Sequence, residues 1–250
     1  MAINVNTVYT TVLSILNKEQ RGYITPEEFN KLGTQVQLEI FENYFEDLNQ
    51  QLRVPQADSE YANRQKNIDN CISIFKTIGN TTYNTAGGYF LPPSDLHRIG
   101  TVIYKDEKEL QRVERNDFLN INLSPLTKPT TQFPVYLYEQ VVQGTGGANT
   151  GETHIFVKPT TIVTAADITV SYIRKPADVV WGYQQLGGGT WTSGPYIYNS
   201  ATSTQFELDN TEQTEVILRI LAYAGVVIRD PQIVQAASQA VQSEEVNSKS

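Results

Sequence analysis

The chain has 250 residues, a net charge of −8 and only 18% charged residues. Its polarity comes instead from 26 Thr, 18 Asn and 19 Gln residues. The Lys and Arg residues form no cluster in the sequence, which argues against a protein that binds the phosphates of nucleic acid. One Cys and two His leave no intrachain disulfide and few metal ligands or general bases, so a typical metabolic enzyme is not expected.

Residues 1–80 show the spacing of apolar residues that is typical of amphipathic helices. The first helix is predicted to start near Val5. The second starts after Thr25, which as N-cap forms a capping box with Glu28. A third is predicted over residues 58–78. Its inward-facing side chains would be Tyr61, Ile68, Ile72, Phe75 and Ile78.

Residues 81–208 are predicted to form β structure, because β-forming residues alternate there with Pro and Gly. Short strands at this spacing suggest a sandwich or a barrel-like domain. Residues 186–204, rich in Gly, Thr and Ser, are interpreted as an exposed hairpin or loop. The predicted strands cover residues 97–105, 110–114, 133–142, 154–157, 168–173 and 205–208.

Residues 209–250 return to a helical pattern. The apolar stretch 216–228 contains Arg219 and is too short to span a bilayer, so no membrane association is expected. It predicts a buried helix. A weaker helix follows, and its apolar stripe consists of Ile233, Val234, Ala237 and Val241.

The predicted fold is therefore α+β, with a helical bundle from the N- and C-terminal helices and an inserted antiparallel β-sandwich or barrel-like domain. The boundaries are 1–80 for the N-terminal helices, 81–208 for the β domain, and 209–250 for the C-terminal helices and tail that complete the bundle. This arrangement packs the terminal helices against one another.

No motif for catalysis is present, and we expect no enzyme, no cofactor and no bound metal. The segment 17–28 resembles the second half of an EF-hand loop, but Arg21 would occupy a ligand position, where its charge opposes a dication. The capping box explains Glu28 without calcium. His97 and His154 are expected to be solvent-facing strand residues, and Cys71 a buried or half-buried thiol on the third helix.

Five aromatic residues cluster in and around the Gly-rich loop, and three interpretations remain open. They form an ordinary core with loop anchors, they lie at a subunit interface, where Trp and Tyr are enriched, or they stack on sugars in a carbohydrate-binding module. No group of acids or amides stands beside them to bind sugar hydroxyls. The five are Trp181, Tyr183, Trp191, Tyr196 and Tyr198.

Several stretches of the chain resemble the head–tail connector (adaptor or ring) proteins of short-tailed, crAss-like bacteriophages. The resemblance covers nearly the whole chain except residues 186–204, and its motifs are short and structural. In sequence order, these stretches are Ile24-Thr25-Pro26-Glu27-Glu28-Phe29-Asn30, Tyr89-Phe90-Leu91-Pro92, Ser124-Pro125-Leu126-Thr127-Lys128-Pro129-Thr130, Phe133-Pro134-Val135-Tyr136, and Tyr172-Ile173-Arg174-Lys175-Pro176 followed by Trp181-Gly182-Tyr183.

The resemblance implies a virion protein of the neck or tail, assembled in the host cytoplasm. It implies a homo-oligomeric ring with the twelvefold symmetry of the portal. The ring would bind the phage portal protein and later tail or ring proteins. The genomic DNA would pass through it without sequence-specific binding. Residues 230–250 match the segment that reaches into the portal, so the stripe of Ile233, Val234, Ala237 and Val241 is the expected docking surface. The negative charge would repel DNA from the channel wall, and the uncharged polar residues would suit surfaces that copies bury against each other.

Overall fold

The protein is described by a computed structural model, which covers residues 2–18, 23–51, 64–140, 153–185, 196–228, 235–236 and 238–243. The chain divides into two compact units. The first, called here the helical unit, contains Met1–Ile74 and Pro176–Ser250, and the second, the β unit, contains Phe75–Lys175. The predicted α+β class is confirmed. The division differs from the predicted boundaries, because residues 176–208 group with the helices and not with the β unit.

Helices α1, α2, α3 and α5 belong to the helical unit, and the short α4 to the β unit. Helix α5 packs against α1 and α2, and α2 also packs against α3. Residues 235–236 and 238–243 are helical as well. Among the described residues, no helix has both the length and the apolar character needed to cross a membrane. The bounds are α1 Val5–Lys18, α2 Pro26–Gln51, α3 Arg64–Ser73, α4 Arg115–Asn120 and α5 Gln213–Ile228.

The capping box at the start of α2 is confirmed. The Thr25 N–H donates to Glu28 Oε2 at 2.9 Å, and the Glu28 N–H donates to Thr25 Oγ1 at 3.3 Å. The predicted end of the third helix is wrong, because α3 ends at Ser73 and Ile78 lies in a β-strand with 66% of its surface exposed. The residues after Ser73 are mainly β-branched and aromatic, which favours a strand once a partner strand is present.

The β unit contains two sheets. In spatial order, the first consists of β1 Lys76–Asn80, β9 Ile168–Arg174, β4 Leu96–Tyr104 and β5 Lys108–Glu109. The second consists of β2 Thr82–Asn84, β3 Tyr89–Leu91, β8 His154–Lys158, β7 Val135–Glu139 and β6 Gln111–Arg112. Neighbouring strands are antiparallel except β6 and β7, which are parallel.

The two sheets share one apolar core, so the β unit is a sandwich. Phe90 and Ile155 of the second sheet pack in the same buried cluster as Val102 and Val170 of the first. Among the described strands no sheet closes into a barrel. Alternate residues of β7 face this core, while the buried Leu137 points to the opposite face of the strand.

Part of the segment 186–204, which was predicted as an exposed hairpin or loop, belongs to a short hairpin of the helical unit. Strand β10 (Tyr183–Gln185) pairs antiparallel with β11 (Tyr196–Tyr198), and residues 186–195 lie outside the described residues. The predicted strand 205–208 is not formed. Phe206 makes only an isolated bridge with Ile3.

Candidate interaction surfaces

The aromatic residues of the predicted cluster gather around Trp181. The Trp181 ring lies 4.4 Å from the Tyr9 ring, 6.0 Å from Tyr183 and 5.7 Å from Tyr198, measured between centroids. Tyr183 in turn contacts Tyr196 edge-on at 4.9 Å. The hairpin formed by β10 and β11 thus places three of the five predicted aromatics beside a fourth.

Trp181 is a core residue and not part of an exposed aromatic surface. It is 4% exposed, and its indole N–H donates to Asn6 Oδ1 at 3.0 Å. A ring that is covered in this way offers no face on which a sugar can stack. Tyr183, Tyr196 and Tyr198 are half-buried, and Trp191 lies outside the described residues. The geometry therefore gives the carbohydrate-binding interpretation no support at Trp181.

The main chain around Trp181 is held by a polar stripe of α2 that was not predicted from the sequence. Asn30 Oδ1 accepts from the Trp181 N–H at 2.7 Å, and Thr34 Oγ1 accepts from the Val179 N–H at 3.0 Å. Gln37 Nε2 donates to the Ala177 carbonyl at 2.7 Å. The helix side chains thus take the place of a neighbouring strand.

The spacing of the two elements explains this match. One helical turn rises about 5.4 Å, and two residues of an extended chain rise about 6.6 Å. Side chains one turn apart on α2 therefore reach every second residue of 177–181. The remaining side of this segment pairs with Thr204, whose N–H donates to the Val180 carbonyl at 2.8 Å. The signal in the sequence is the spacing of Asn30, Thr34 and Gln37, which follows one helix face.

A second buried polar group joins α5 to α2. Arg219 is 5% exposed, and its guanidinium lies 2.7 Å from Glu39 Oε1 and 2.5 Å from Glu215 Oε1. The Tyr223 hydroxyl donates to Glu39 Oε2 at 3.0 Å, and burial raises the pKa of Tyr223. Arg219, which interrupts the apolar stretch in the sequence, is therefore an anchor between helices.

The expected docking stripe for the portal falls largely outside the described residues. Ile233, Val234 and Ala237 lie outside them. Val241 belongs to the helical residues 238–243 and is half-buried. Its position in a helix agrees with the predicted secondary structure of this segment.

The predicted exposure is wrong for His154 and correct for Cys71. His154 is 6% exposed and lies 4.1 Å from the Tyr89 ring, so it is not solvent-facing. Its place at the start of β8 turns it toward Tyr89 of the neighbouring β3. Cys71 is half-buried as expected, and burial raises the pKa of its thiol. Among the described residues, no group of three or more His, Cys, Asp or Glu side chains has the arrangement of a metal site.

The most exposed apolar surface of the β unit was not predicted. It lies in residues 119–133, called here the apolar loop, which run from the last two residues of α4 toward β7. Four large side chains of this loop are exposed: Leu119 by 57%, Leu123 by 80%, Leu126 by 97% and Phe133 by 82%. Contiguous exposed apolar patches mark contacts with other molecules.

Helix α4, from which the apolar loop starts, is anchored to the second sheet at both ends. Lys158 Nζ donates to the Phe118 carbonyl at 2.6 Å and lies 4.1 Å from the centroid of the Phe118 ring. Burial lowers the pKa of Lys158. At the other end of α4, Arg115 Nε donates to the Glu139 carboxylate at 2.8 Å. The apolar loop therefore starts from a helix that is tethered to β7 and β8.

Hydrogen bonds within the apolar loop fix its turn. The Thr127 hydroxyl donates to the Ile121 carbonyl at 3.0 Å, and the Lys128 N–H donates to the Ser124 carbonyl at 3.1 Å. Because these bonds hold the turn in one conformation, the loop needs little reorganisation to dock.

In comparisons with known proteins, no family model matches this chain, and no curated protein matches it significantly.

Proposed function

We propose that this chain is a structural subunit of the head–tail connector of a short-tailed, crAss-like bacteriophage. Its copies would form a ring that joins the portal to the tail and lines the DNA channel. The observation that carries the proposal is the apolar loop, with four large apolar side chains that are between 57% and 97% exposed. A permanent assembly is the setting in which such a surface becomes covered.

The resemblance to connector proteins supports the same part of the chain. Two of the stretches on which it rests, 124–130 and 133–136, lie in the apolar loop or begin in it. Leu126 and Phe133, the two most exposed of the large apolar side chains of the loop, belong to these stretches. Two of the stretches that resemble connector proteins therefore overlap the exposed apolar side chains.

The charge of the chain is compatible with a channel wall. A net charge of −8 makes each copy acidic, and a ring of copies multiplies this charge around the axis. Negative side chains repel the phosphates of DNA, so that the genome would pass without binding. The acidic residues that face the axis would be identified in the assembled ring.

The proposal is tested by measuring assembly. Native mass spectrometry and electron microscopy would be applied to the purified chain, alone and mixed with the portal protein encoded in the same genome. We expect closed rings with the symmetry of the portal, and the chain in the neck of virions. A chain that stays monomeric with the portal and is absent from virions would refute the proposed function.

The attachment to the portal has its own test. Deletion of residues 230–250 is expected to leave a folded protein that no longer joins the portal, because the proposed docking helix is lost. Circular dichroism would establish that the shortened chain is folded. Co-sedimentation with the portal would measure binding, and undiminished binding would show that another segment docks.

A further inference from the structure

We infer that neighbouring copies in the ring meet head to tail, with the apolar loop of one copy packed against strand β1 of the next. The inference rests on the proposed function and names the two surfaces that join the subunits. Both lie in the β unit. Neither was assigned a role by the resemblance.

The two surfaces belong to opposite edges of the sandwich. At one edge Thr81 alone connects β1 to β2, and at the other Leu110 alone connects β5 to β6. These four strands are the outer strands of the two sheets. The apolar loop follows β6, so it starts from the edge opposite β1. Two different surfaces on opposite sides of one body are what a ring of identical subunits requires.

Strand β1 offers both main-chain groups and an apolar side chain. The Arg174 N–H donates to the Phe75 carbonyl, and the Thr81 N–H donates to the Ile168 carbonyl. Because bonding alternates along an antiparallel pair, odd-numbered residues of β1 bond to β9, and the N–H and C=O of Ile78 point away from it. The Ile78 side chain is 66% exposed. Edge strands with these features pair readily with another chain.

Charge favours a second copy of this chain as the occupant. Lys128 is the only charged residue within 119–133, and it is exposed, whereas the whole chain carries −8. Acidic copies repel one another over most of their surfaces. A contact between the apolar loop and β1, neither of which contains an acidic residue, is where this repulsion is weakest.

The exposed area is of the right order for a subunit contact. The four side chains of the apolar loop expose roughly 300–500 Å², if a fully exposed Leu contributes about 60–120 Å² and a Phe about 150–250 Å². A stable interface buries about 800 Å² on each partner. The apolar loop thus provides about half of one side of the contact, and the polar residues around it would supply the remainder.

Cross-linking between two introduced cysteines tests the contact directly. In a Cys71→Ser background, Ile78→Cys and Leu126→Cys are combined and treated with a short bismaleimide under assembly conditions. We expect a ladder of linked species longer than dimers, because each copy is joined to two neighbours. Each single variant is expected to give dimers at most. Mass spectrometry of the peptides would identify links between positions 78 and 126.

A matched control uses an exposed apolar residue of the helical unit. Ile15 is 41% exposed, and Ile15→Cys combined with Leu126→Cys is expected to give no ladder. Ring formation of the untreated protein is measured separately, by native mass spectrometry with the portal. Rings without links between 78 and 126 would overturn this contact and leave the proposed function standing. The absence of both rings and links would overturn both.

A second variant measures the contribution of the apolar loop. The double change Leu123→Gln and Leu126→Gln is expected to raise the concentration needed for half-maximal assembly by about tenfold or more, since it removes two buried apolar side chains from the contact. Ile15→Gln should leave this concentration unchanged. An equal effect of both changes would overturn the assignment of the loop.

Discussion

Replacement of Gln37 by Leu tests whether α2 holds the helical unit together through hydrogen bonds to the main chain. Gln37 is 1% exposed. Its Nε2 donates to the Ala177 carbonyl at 2.7 Å, and its Oε1 accepts from the Glu207 N–H at 2.9 Å. Leu fills a similar volume but has no polar atom. The variant therefore leaves one carbonyl and one N–H without their partners and gives water little room to replace them.

The expected loss follows from these two groups. A buried polar group without a partner costs about 1–3 kcal/mol, and the added apolar surface of Leu recovers about 1–2 kcal/mol. We expect the free energy of unfolding of the helical unit to fall by about 2–3 kcal/mol. With a denaturant slope of about 2–3 kcal/mol/M, the urea midpoint would shift down by about 1 M.

Tryptophan fluorescence is the appropriate assay, because both Trp residues of the chain, Trp181 and Trp191, belong to the helical unit. The signal therefore follows this unit and not the β sandwich. Gln35→Leu is the matched control, since Gln35 lies on the same helix and is exposed. Its effect should stay within about 0.5 kcal/mol. If both variants shift the midpoint equally, the bonds of Gln37 add no net stability and the reasoning is wrong.

Two further predictions concern charged groups of the helical unit. Arg219→Met is expected to lower the free energy of unfolding by about 2–4 kcal/mol in urea titrations, because Glu39 and Glu215 lose their shared partner while Glu39 keeps some water contact. A loss under about 0.5 kcal/mol would contradict this prediction. Bonds from the Thr25 main chain and hydroxyl hold the pKa of Glu28 below 4.5. The stability this contributes is present above pH 4.5 and lost as the pH falls through the folded pKa. Thr25→Ala should raise this pKa, measured by NMR, and an unchanged pKa would exclude the hydroxyl.

Local patterns predicted the elements whose signals are local. The capping box placed the start of α2 correctly, and the run of β-forming residues over 97–105 predicted β4, which covers Leu96–Tyr104. The end of the third helix failed for a non-local reason. Apolar residues up to Ile78 fit a helical spacing, but that segment pairs with β9, which lies about 90 residues further along the chain. No local pattern reports such a partner.

The domain boundary differed for a related reason. Residues 176–208 have the composition of β structure, and part of this segment is indeed extended. Its main chain, however, bonds to Asn30, Thr34 and Gln37 of a helix. A pattern of strand-forming residues indicates an extended chain without indicating whether a strand or a helix provides its partners. Composition therefore assigned this segment to the wrong neighbours.

The candidate surfaces were harder to predict than the fold. Aromatic content drew attention to Trp181, which is buried. The apolar loop carries ordinary Leu and Phe residues, and in a sequence these are indistinguishable from core residues. Only the structure shows that Leu126 is 97% exposed while Leu137, eleven positions later, is 4% exposed. Exposure depends on how α4 and its turn are placed over the sheet, and residue type alone does not specify it.

Some of the Thr, Asn and Gln residues have a role within the subunit that composition did not indicate. These residue types were interpreted as suited to the surfaces of a permanent ring, which stays a prediction. In the helical unit, Asn6, Thr34, Gln37 and Gln205 bind main-chain or indole groups of the same chain. An amide both donates and accepts, and burying it costs less than burying a charge. Such residues stabilise extended main chain where no sheet supplies partners. The ring proposal therefore depends on the exposed apolar loop and not on composition.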